Sequence, residues 1–352
     1  VKMIKVGYAS RTRYWQVYAF SNSPDGYCYT RGVDFPFKFT HPNSNLLRHT
    51  KLFLPIKGIQ LFHTYNSIVV NNKPWVVEVE SRIPRYGKIS ESHPIFKYAI
   101  KKIQSNYCKK ILFTSYYTFN LNKDKLISLG IDPSKFMVVY RAVEQYSNFV
   151  RGENSDTFNI LFVGNGFYRK GGLELLKAFS NIKYKELRLT IISTFEVDWA
   201  VIPTKKDIEL TQRIIHRDYR ISVKSDITHN EVVEHMRKSH LYVAPTFADP
   251  FNNTILEAMG CELPIVTTNI RSIPEFVYHN FNGLIIEADL NDREKMVDNL
   301  EKSILRLFSN KKLRDEMANE SKKIIGDKFT LQVRNTSLKQ IYDSALGISD
   351  NY

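Results

Sequence analysis

From Asn159 onward the chain alternates short β-rich runs with helical patterns, and that alternation narrows its fold more than any other feature. Strands are expected at 159–163, 187–193, 221–224, 241–244, 264–268 and 283–286. Helical stretches fall between them at 173–182, 230–239 and 292–308, where Val297, Leu300, Ile304, Leu307 and Phe308 keep one apolar stripe. Parallel strands need a crossover, so repeated strand–helix units predict a parallel sheet covered on both faces, a Rossmann-like domain. The first half holds strand patterns at 4–8, 59–62, 75–80, 111–114 and 137–140, separated by mixed segments, which predicts a second, smaller sheet of the same class.

A chain of 352 residues exceeds what one core ordinarily supports. Two domains are therefore expected, 1–150 and 151–330, joined by the polar segment 144–157 with its Gly152, Asn154, Ser155 and Asp156. A last helix at 331–346 is expected to return to the first domain with the rest of 331–352. Tandem Rossmann-like domains facing each other across a cleft suit a ligand bound at the carboxyl ends of the strands.

The formal net charge is +14, and it is unevenly distributed. Residues 1–150 hold 22 Lys and Arg against 8 Asp and Glu, whereas the remainder holds 28 of each. Such asymmetry points the first domain toward something anionic, although solubility alone is the plainer explanation. The densest stretch, 94–110, sets Lys97, Lys101, Lys102, Lys109 and Lys110 around Phe96, Ala99, Ile100, Ile103 and Tyr107, spaced as one helix face. A basic amphipathic helix can lie on an anionic bilayer, or be half-buried with its lysines solvated. No run approaches the ~18 apolar residues of a membrane helix. The apolar run at 1–6 is too short for a signal peptide. Cys28, Cys108 and Cys261 fit neither a disulfide framework nor a zinc cage. The expectation is a cytoplasmic protein, peripheral at the inner membrane face.

Two segments carry chemistry. In 162–172, a strand end runs through Gly164, Asn165 and Gly166 to Arg169, Lys170, Gly171 and Gly172 and into a helix. Glycines let a phosphate approach the backbone, and the two cations suit a diphosphate; an exposed turn with solvated cations is the competing reading. The third glycine of a dinucleotide fingerprint is missing, which disfavours a nicotinamide-dependent dehydrogenase. In 244–266, Asp249 and Glu257 stand eight positions apart across a strand exit and a helix start, placed to accept hydrogen bonds from vicinal hydroxyls. Thr254 and Glu257 also match a capping box, and Asp249-Pro250 a turn opener.

The run Asp249-Pro-Phe-Asn-Asn-Thr-Ile-Leu-Glu-Ala-Met-Gly260 resembles the signature of the family four retaining glycosyltransferases of the GT-B fold. Phe162-Val-Gly164 followed by Lys170-Gly171 resembles the same family's phosphate loop, and Ile273-Pro-Glu-Phe-Val277 with Asn282-Gly-Leu284 its donor-side segment. The resemblance implies a nucleotide sugar (UDP-, GDP- or ADP-linked) held in the second domain, with no cofactor and no metal. Lys170 would meet the diphosphate, Glu257 the ribose, Asp249 the transferred sugar, and the backbone of Phe251, Asn252, Asn253 and Thr254 the phosphate and sugar. Asp249 replaces the family's first Glu, Asn165 stands where an arginine joins the lysine, with Arg169 nearby to supply that charge, and Arg271-Ser272 occupy a site that is often Gly-Gly. Ser10-Arg-Thr-Arg13 replaces the family's amino-terminal glycine-rich loop. The family strand ending in a cleft histidine is matched by 74–80, with Glu80 in that place. Glu80 could contact donor or acceptor, or face solvent with Glu78, and His63 is a weaker candidate.

The activity implied is transfer of a hexose, with retention, to a saccharide or a lipid-phosphate-linked acceptor in polysaccharide or glycolipid assembly. The alternative from another class is a non-catalytic binder of polyanions or nucleic acid. Nothing in the sequence matches a nucleic-acid module, and the charge is absent from the half with the sharper motifs.

Overall fold

The computed structural model describes residues 3–9, 18–34, 49–146 and 157–348. The segment 10–13 and most of the 144–157 connection lie outside them. The chain divides into two compact units, 1–142 with 328–352, and 143–327.

The first unit is built on a six-stranded sheet in the order β2-β1-β4-β6-β7-β8, every pairing parallel. Its strands are β1 (Ile4–Ala9), β2 (Tyr27–Gly32), β4 (Ile59–Tyr65), β6 (Trp75–Val79), β7 (Cys108–Phe113) and β8 (Phe136–Val138), with a small side pair, β3 (Thr50–Lys51) and β5 (Ile68–Val69). Alternation along β6 sorts its side chains: Trp75, Val77 and Val79 join one core with Ala99, Ile100 and Ile103 of helix α1 (Pro94–Gln104) and Leu126 of α2 (Tyr116–Ser128). Val76 joins the opposite core, closed by Leu338, Ile341, Tyr342 and Ala345 of the chain's last helix. That helix is α9 (Leu331–Leu346), capped by the Thr330 side chain and ended by Gly347 at φ 67°.

The sequence reading did not place strand β2, although Tyr-Cys-Tyr-Thr is rich in strand formers. It forms an edge, and its fit comes from Tyr27, buried under α9 with its hydroxyl 2.5 Å from Asp343. The basic helix is shorter than its spacing suggests. The Ser105 N–H closes α1 on the Lys101 carbonyl, and Lys109 and Lys110 belong to β7. Tyr107 therefore lies off the helix, and Lys97 and Lys101 remain exposed on it beside Tyr98. Among the described residues no helix is long and apolar enough to cross a membrane.

Glu78 does not face solvent. It lies on the α9 side of β6, 1% exposed, bonded to the Arg334 guanidinium. His63 Nε2 stands 2.9 Å from Glu78, and its Nδ1 is 2.5 Å from the Tyr342 hydroxyl. Burial works against the Glu78 charge, but Arg334 and His63 outweigh it and hold the carboxyl well below the usual range. Burial pushes the His63 imidazole down.

The second unit repeats the architecture in the order β11-β10-β9-β12-β13-β14, again all parallel. The strands are β9 (Phe158–Val163), β10 (Leu187–Ile192), β11 (Ile221–Lys224), β12 (Leu241–Ala244), β13 (Ile265–Thr268) and β14 (Gly283–Ile286). The helices are α3 (Gly172–Asn181), α4 (Lys205–Arg217), α5 (His229–Arg237), α6 (Asn253–Gly260), α7 (Arg293–Ser309) and α8 (Lys311–Lys328). Ile160, Phe162, Leu189, Ile191, Val243 and Val266 pack with Leu176 and Phe179 of α3 and Val297, Leu300 and Ile304 of α7. The order reverses at β9: the chain runs outward to β11, then crosses to β12 on the other side.

Removing Arg334 strands a buried carboxylate, so Arg334→Ala should lower the stability of the first unit by roughly 3–5 kcal/mol. The double change Glu78→Gln with Arg334→Met should cost less, as read from urea unfolding midpoints.

Candidate active site

The loop leaving β9 is shaped by what lies against its glycines. A Cβ on Gly164 would stand 2.3 Å from Lys170 Cδ, one on Gly166 2.3 Å from Asp198 Oδ2, and one on Gly171, at φ 74°, 2.1 Å from the Pro245 carbonyl. Glycine is needed so that Lys170 can fold back over the strand end and the turn can press on β12's exit. The Lys170 N–H bonds the Gly166 carbonyl at 2.9 Å, and α3 begins at Gly172.

Beside this loop lies a cavity of about 570 Å³. Gly164, Asn165, Arg169 and Lys170 line it, together with Ser193 after β10, Asp226 after β11 and Thr254 in α6. All come from the carboxyl ends of the sheet, where ligands of parallel α/β folds bind.

Asp249 is the hub. Its Oδ2 lies 3.6 Å from both Arg169 Nη1 and Lys170 Nζ, and its Oδ1 accepts the Phe251 N–H at 3.2 Å, closing the turn after Pro250. Arg169 is only 9% exposed. It donates to Asp198 Oδ2 at 2.7 Å and to the Ala248 carbonyl, and stacks 5.1 Å from the Trp199 ring centroid. Lys170 carries no such bond to Asp198; it lines the cavity, whereas its partner Asp249 and Glu257 do not.

The capping box expected from Thr254 and Glu257 is not formed. Helix α6 starts at Asn253 with Asn252 as its cap, so Thr254 sits inside the first turn, donating to Asn252 Oδ1 at 2.8 Å and accepting from the Tyr242 hydroxyl at 2.7 Å. Glu257 lies one turn further in. The capping boxes in this unit are Thr204 with Asp207 and Thr228 with Glu231. Glu257 is enclosed enough that burial lifts its carboxyl to about 7, against the pull of the Lys170 charge. Phe251 and Asn252 are buried, Phe251 against Phe276 with ring centroids 5.8 Å apart.

Glu80 belongs to the first unit. It does not face solvent: 9% exposed at the end of β6, it accepts from Arg141 Nη2 at 3.0 Å and bonds the Tyr65 hydroxyl, while its N–H bonds Asn66 Oδ1 at 3.0 Å. Sequence reading missed Arg141, Asp198, Trp199, Ser193 and Asp226. Their common signal is position, since four of them sit in the loops that leave β10 and β11 at the carboxyl edge. Among the described residues no three His, Cys, Asp or Glu side chains gather as a metal-binding group.

Residues 144–324 match the family model described as Glycosyl transferases group 1. A D-inositol 3-phosphate glycosyltransferase of Pseudarthrobacter chlorophenolicus is 23% identical over 66% of this chain and 54% of its own length. The capsular polysaccharide biosynthesis glycosyltransferase CapM of Staphylococcus aureus is 24% identical over 66% of this chain and 59% of its own. The chain thus spans little more than half the length of these relatives. A glycosyltransferase structure from Rickettsia africae matches with a TM-score of 0.66 at 14% identity, covering 99% of this chain and 100% of that one. HepE of Anabaena, solved with UDP and glucose, matches at 0.65 and 13%, covering 97% of this chain and 100% of that one. These likenesses show the fold, two parallel-sheet α/β units of the GT-B type.

A carboxyl lifted to about 7 is protonated in the folded chain and ionised in the unfolded one between the ordinary carboxylate range and neutrality. Folded stability should therefore fall as pH rises from about 4.5 to about 7 and then level. Glu257→Gln should remove that slope, so that its melting temperature gains on the parent's between pH 5 and pH 8 in parallel thermal scans.

Proposed function

The chain belongs to the group 1 glycosyl transferases, and we propose that it moves a hexose from a nucleotide sugar to a saccharide or lipid-phosphate-linked acceptor, with retention, in polysaccharide or glycolipid biosynthesis. The observation that carries this proposal is that Lys170, which lines a cavity at the carboxyl edge of the second sheet, also pairs with Asp249 and acts on the charge of Glu257. Its volume, about 570 Å³, is of the size that small-molecule and cofactor sites occupy.

In this mechanism the second unit holds the donor. Lys170, at the cavity wall, meets the diphosphate and stabilises the negative charge that grows as the sugar bond breaks. The N–H groups at the start of α6 add to that field. No cofactor is required, because the leaving group is matched by fixed positive groups. Asp249, held by Arg169 and by the Phe251 N–H, accepts a hydroxyl of the transferred sugar. Glu257 accepts ribose hydroxyls. Glu80, fixed by Arg141 and Tyr65 in the first unit, is assigned to the acceptor hydroxyls. The acceptor hydroxyl attacks on the face from which the diphosphate leaves.

Lys170→Ala and Glu257→Ala should each cut turnover about 100-fold or more, in line with losing one charge-stabilising donor, while circular dichroism stays unchanged. Near-normal rates in both would reject the site. A thermal-shift panel of UDP, GDP, ADP and their sugars should show one nucleotide stabilising the parent by about 2.7 kcal/mol at 100 times its dissociation constant. NAD should have no effect.

The acceptor side is assigned to the basic first unit, with an anionic membrane surface as its setting. The exposed Lys97 and Lys101 on α1, with Tyr98 between them, suit a bilayer carrying acidic lipid. Flotation with anionic vesicles should be salt-sensitive and should weaken several-fold in Lys97→Glu with Lys101→Glu. Equal recovery on neutral vesicles would remove the membrane from the proposal.

A further inference from the structure

Two features of Arg271 stand together. It adopts φ 49°, a left-handed conformation that a non-glycine residue takes up only with strain. Its half-buried guanidinium also lies 5.3 Å from the Trp199 ring centroid. Trp199 is itself 50% exposed, and Arg169 lies over the same ring at 5.1 Å. The backbone here is fastened to the site, because the Ser272 hydroxyl donates to the Pro250 carbonyl at 3.1 Å, next to Asp249.

Charge matching separates Arg271 from its neighbours. Arg169 pairs with Asp198 and shares Asp249 with Lys170. Among the described residues Arg271 pairs with no carboxylate. Stacked on an aromatic face, a guanidinium keeps its N–H donors in its own plane, where they fit a planar carboxylate with two parallel bonds. The diphosphate is not the obvious match, since Lys170 lines the nucleotide-sized cavity and Arg271 does not. A neutral hexose beside Asp249 would leave this cation without a partner.

We propose that Arg271, braced by Trp199, selects a donor whose sugar carries a carboxylate, a uronic acid, by pairing with that group. The proposal rests on the nucleotide-sugar reading of the site and names the class of sugar it takes.

Titrating the purified chain with UDP, UDP-glucose and UDP-glucuronate, and with GDP, GDP-mannose and GDP-mannuronate, tests it. For the nucleotide that binds, the uronate should bind about tenfold or more tightly than its neutral counterpart. Arg271→Ala should bring the two level while leaving the free nucleoside diphosphate unchanged, and Arg271→Lys should keep part of the preference. Should the alanine variant fail to fold, Arg271→Gly takes φ 49° without strain and serves in its place. If the parent binds the nucleotide but shows no preference for the uronate, the inference is overturned and the nucleotide-sugar reading stands. It is equally overturned if Arg271→Ala weakens the free diphosphate as much as the uronate, since Arg271 would then serve the phosphates. Failure of all six compounds to bind, together with ADP and ADP-glucose, removes both.

Discussion

A parallel strand cannot turn straight back, and this one constraint assembles the candidate site. Each strand of the second sheet leaves at the same edge and returns through a crossover, so every outgoing loop is delivered to one rim. Lys170 arrives after β9, Asp198 and Trp199 after β10, Asp226 after β11, Asp249 after β12 and Arg271 after β13. Residues a hundred positions apart in sequence become neighbours, although the connections that carry Trp199 (193–204) and Arg271 (269–282) are longer than the others. The reversal of strand order at β9 then opens room between the β9 and β12 exits, where the glycine turn lets Lys170 fold over and reach Asp249.

The rim is electrostatically tight. Asp249 would be free to rotate on an exposed turn, but two cations and a backbone N–H hold both of its oxygens. Arg169 links this carboxylate to Asp198 and to the Ala248 carbonyl, so the loops after β9, β10 and β12 are cross-braced by one guanidinium. Preorganisation of this kind means that groups need not reorder when charge develops on a ligand. Glu257 is the counterweight: its enclosure raises its proton affinity, and only the Lys170 charge draws it back toward the ionised form.

Much of the second unit was legible because its strands are short apolar runs bounded by glycine, proline and polar turns, and because α3 and α7 carry clean helical stripes. The helix over 331–346 was equally plain. Local pattern failed where tertiary partners decide. Strand β2 is an edge, held by pairing with β1 and by burying Tyr27 beneath α9. The pattern over 94–110 carried on past a true helix end, because Tyr107 falls in phase with α1 although Ser105 has already closed it. Thr254 and Glu257 have capping-box spacing, yet Asn252 precedes them and starts the helix earlier. Glu80 stayed open between a ligand contact and solvent, because its partners, Tyr65 and Arg141, are supplied by other strands and loops of the unit. Asp198 and Trp199 carry no motif at all, and only the rule that loops at a carboxyl edge converge would have pointed to them.

The strand that leads to Glu80 also anchors the end of the chain. Glu78 lies within β6 and Glu80 one residue past its end. Glu78 is gripped by Arg334 and His63, and His63 in turn by Tyr342, so polar bonds tie α9 to the sheet where apolar contacts alone would suffice for burial. Well-packed apolar replacements of such a network are often no less stable, so its value is better sought in fixing one register of α9 against β6 and β4. Glu80, past the end of β6, is held by a separate set of partners, Arg141, Tyr65 and Asn66, none of them in α9.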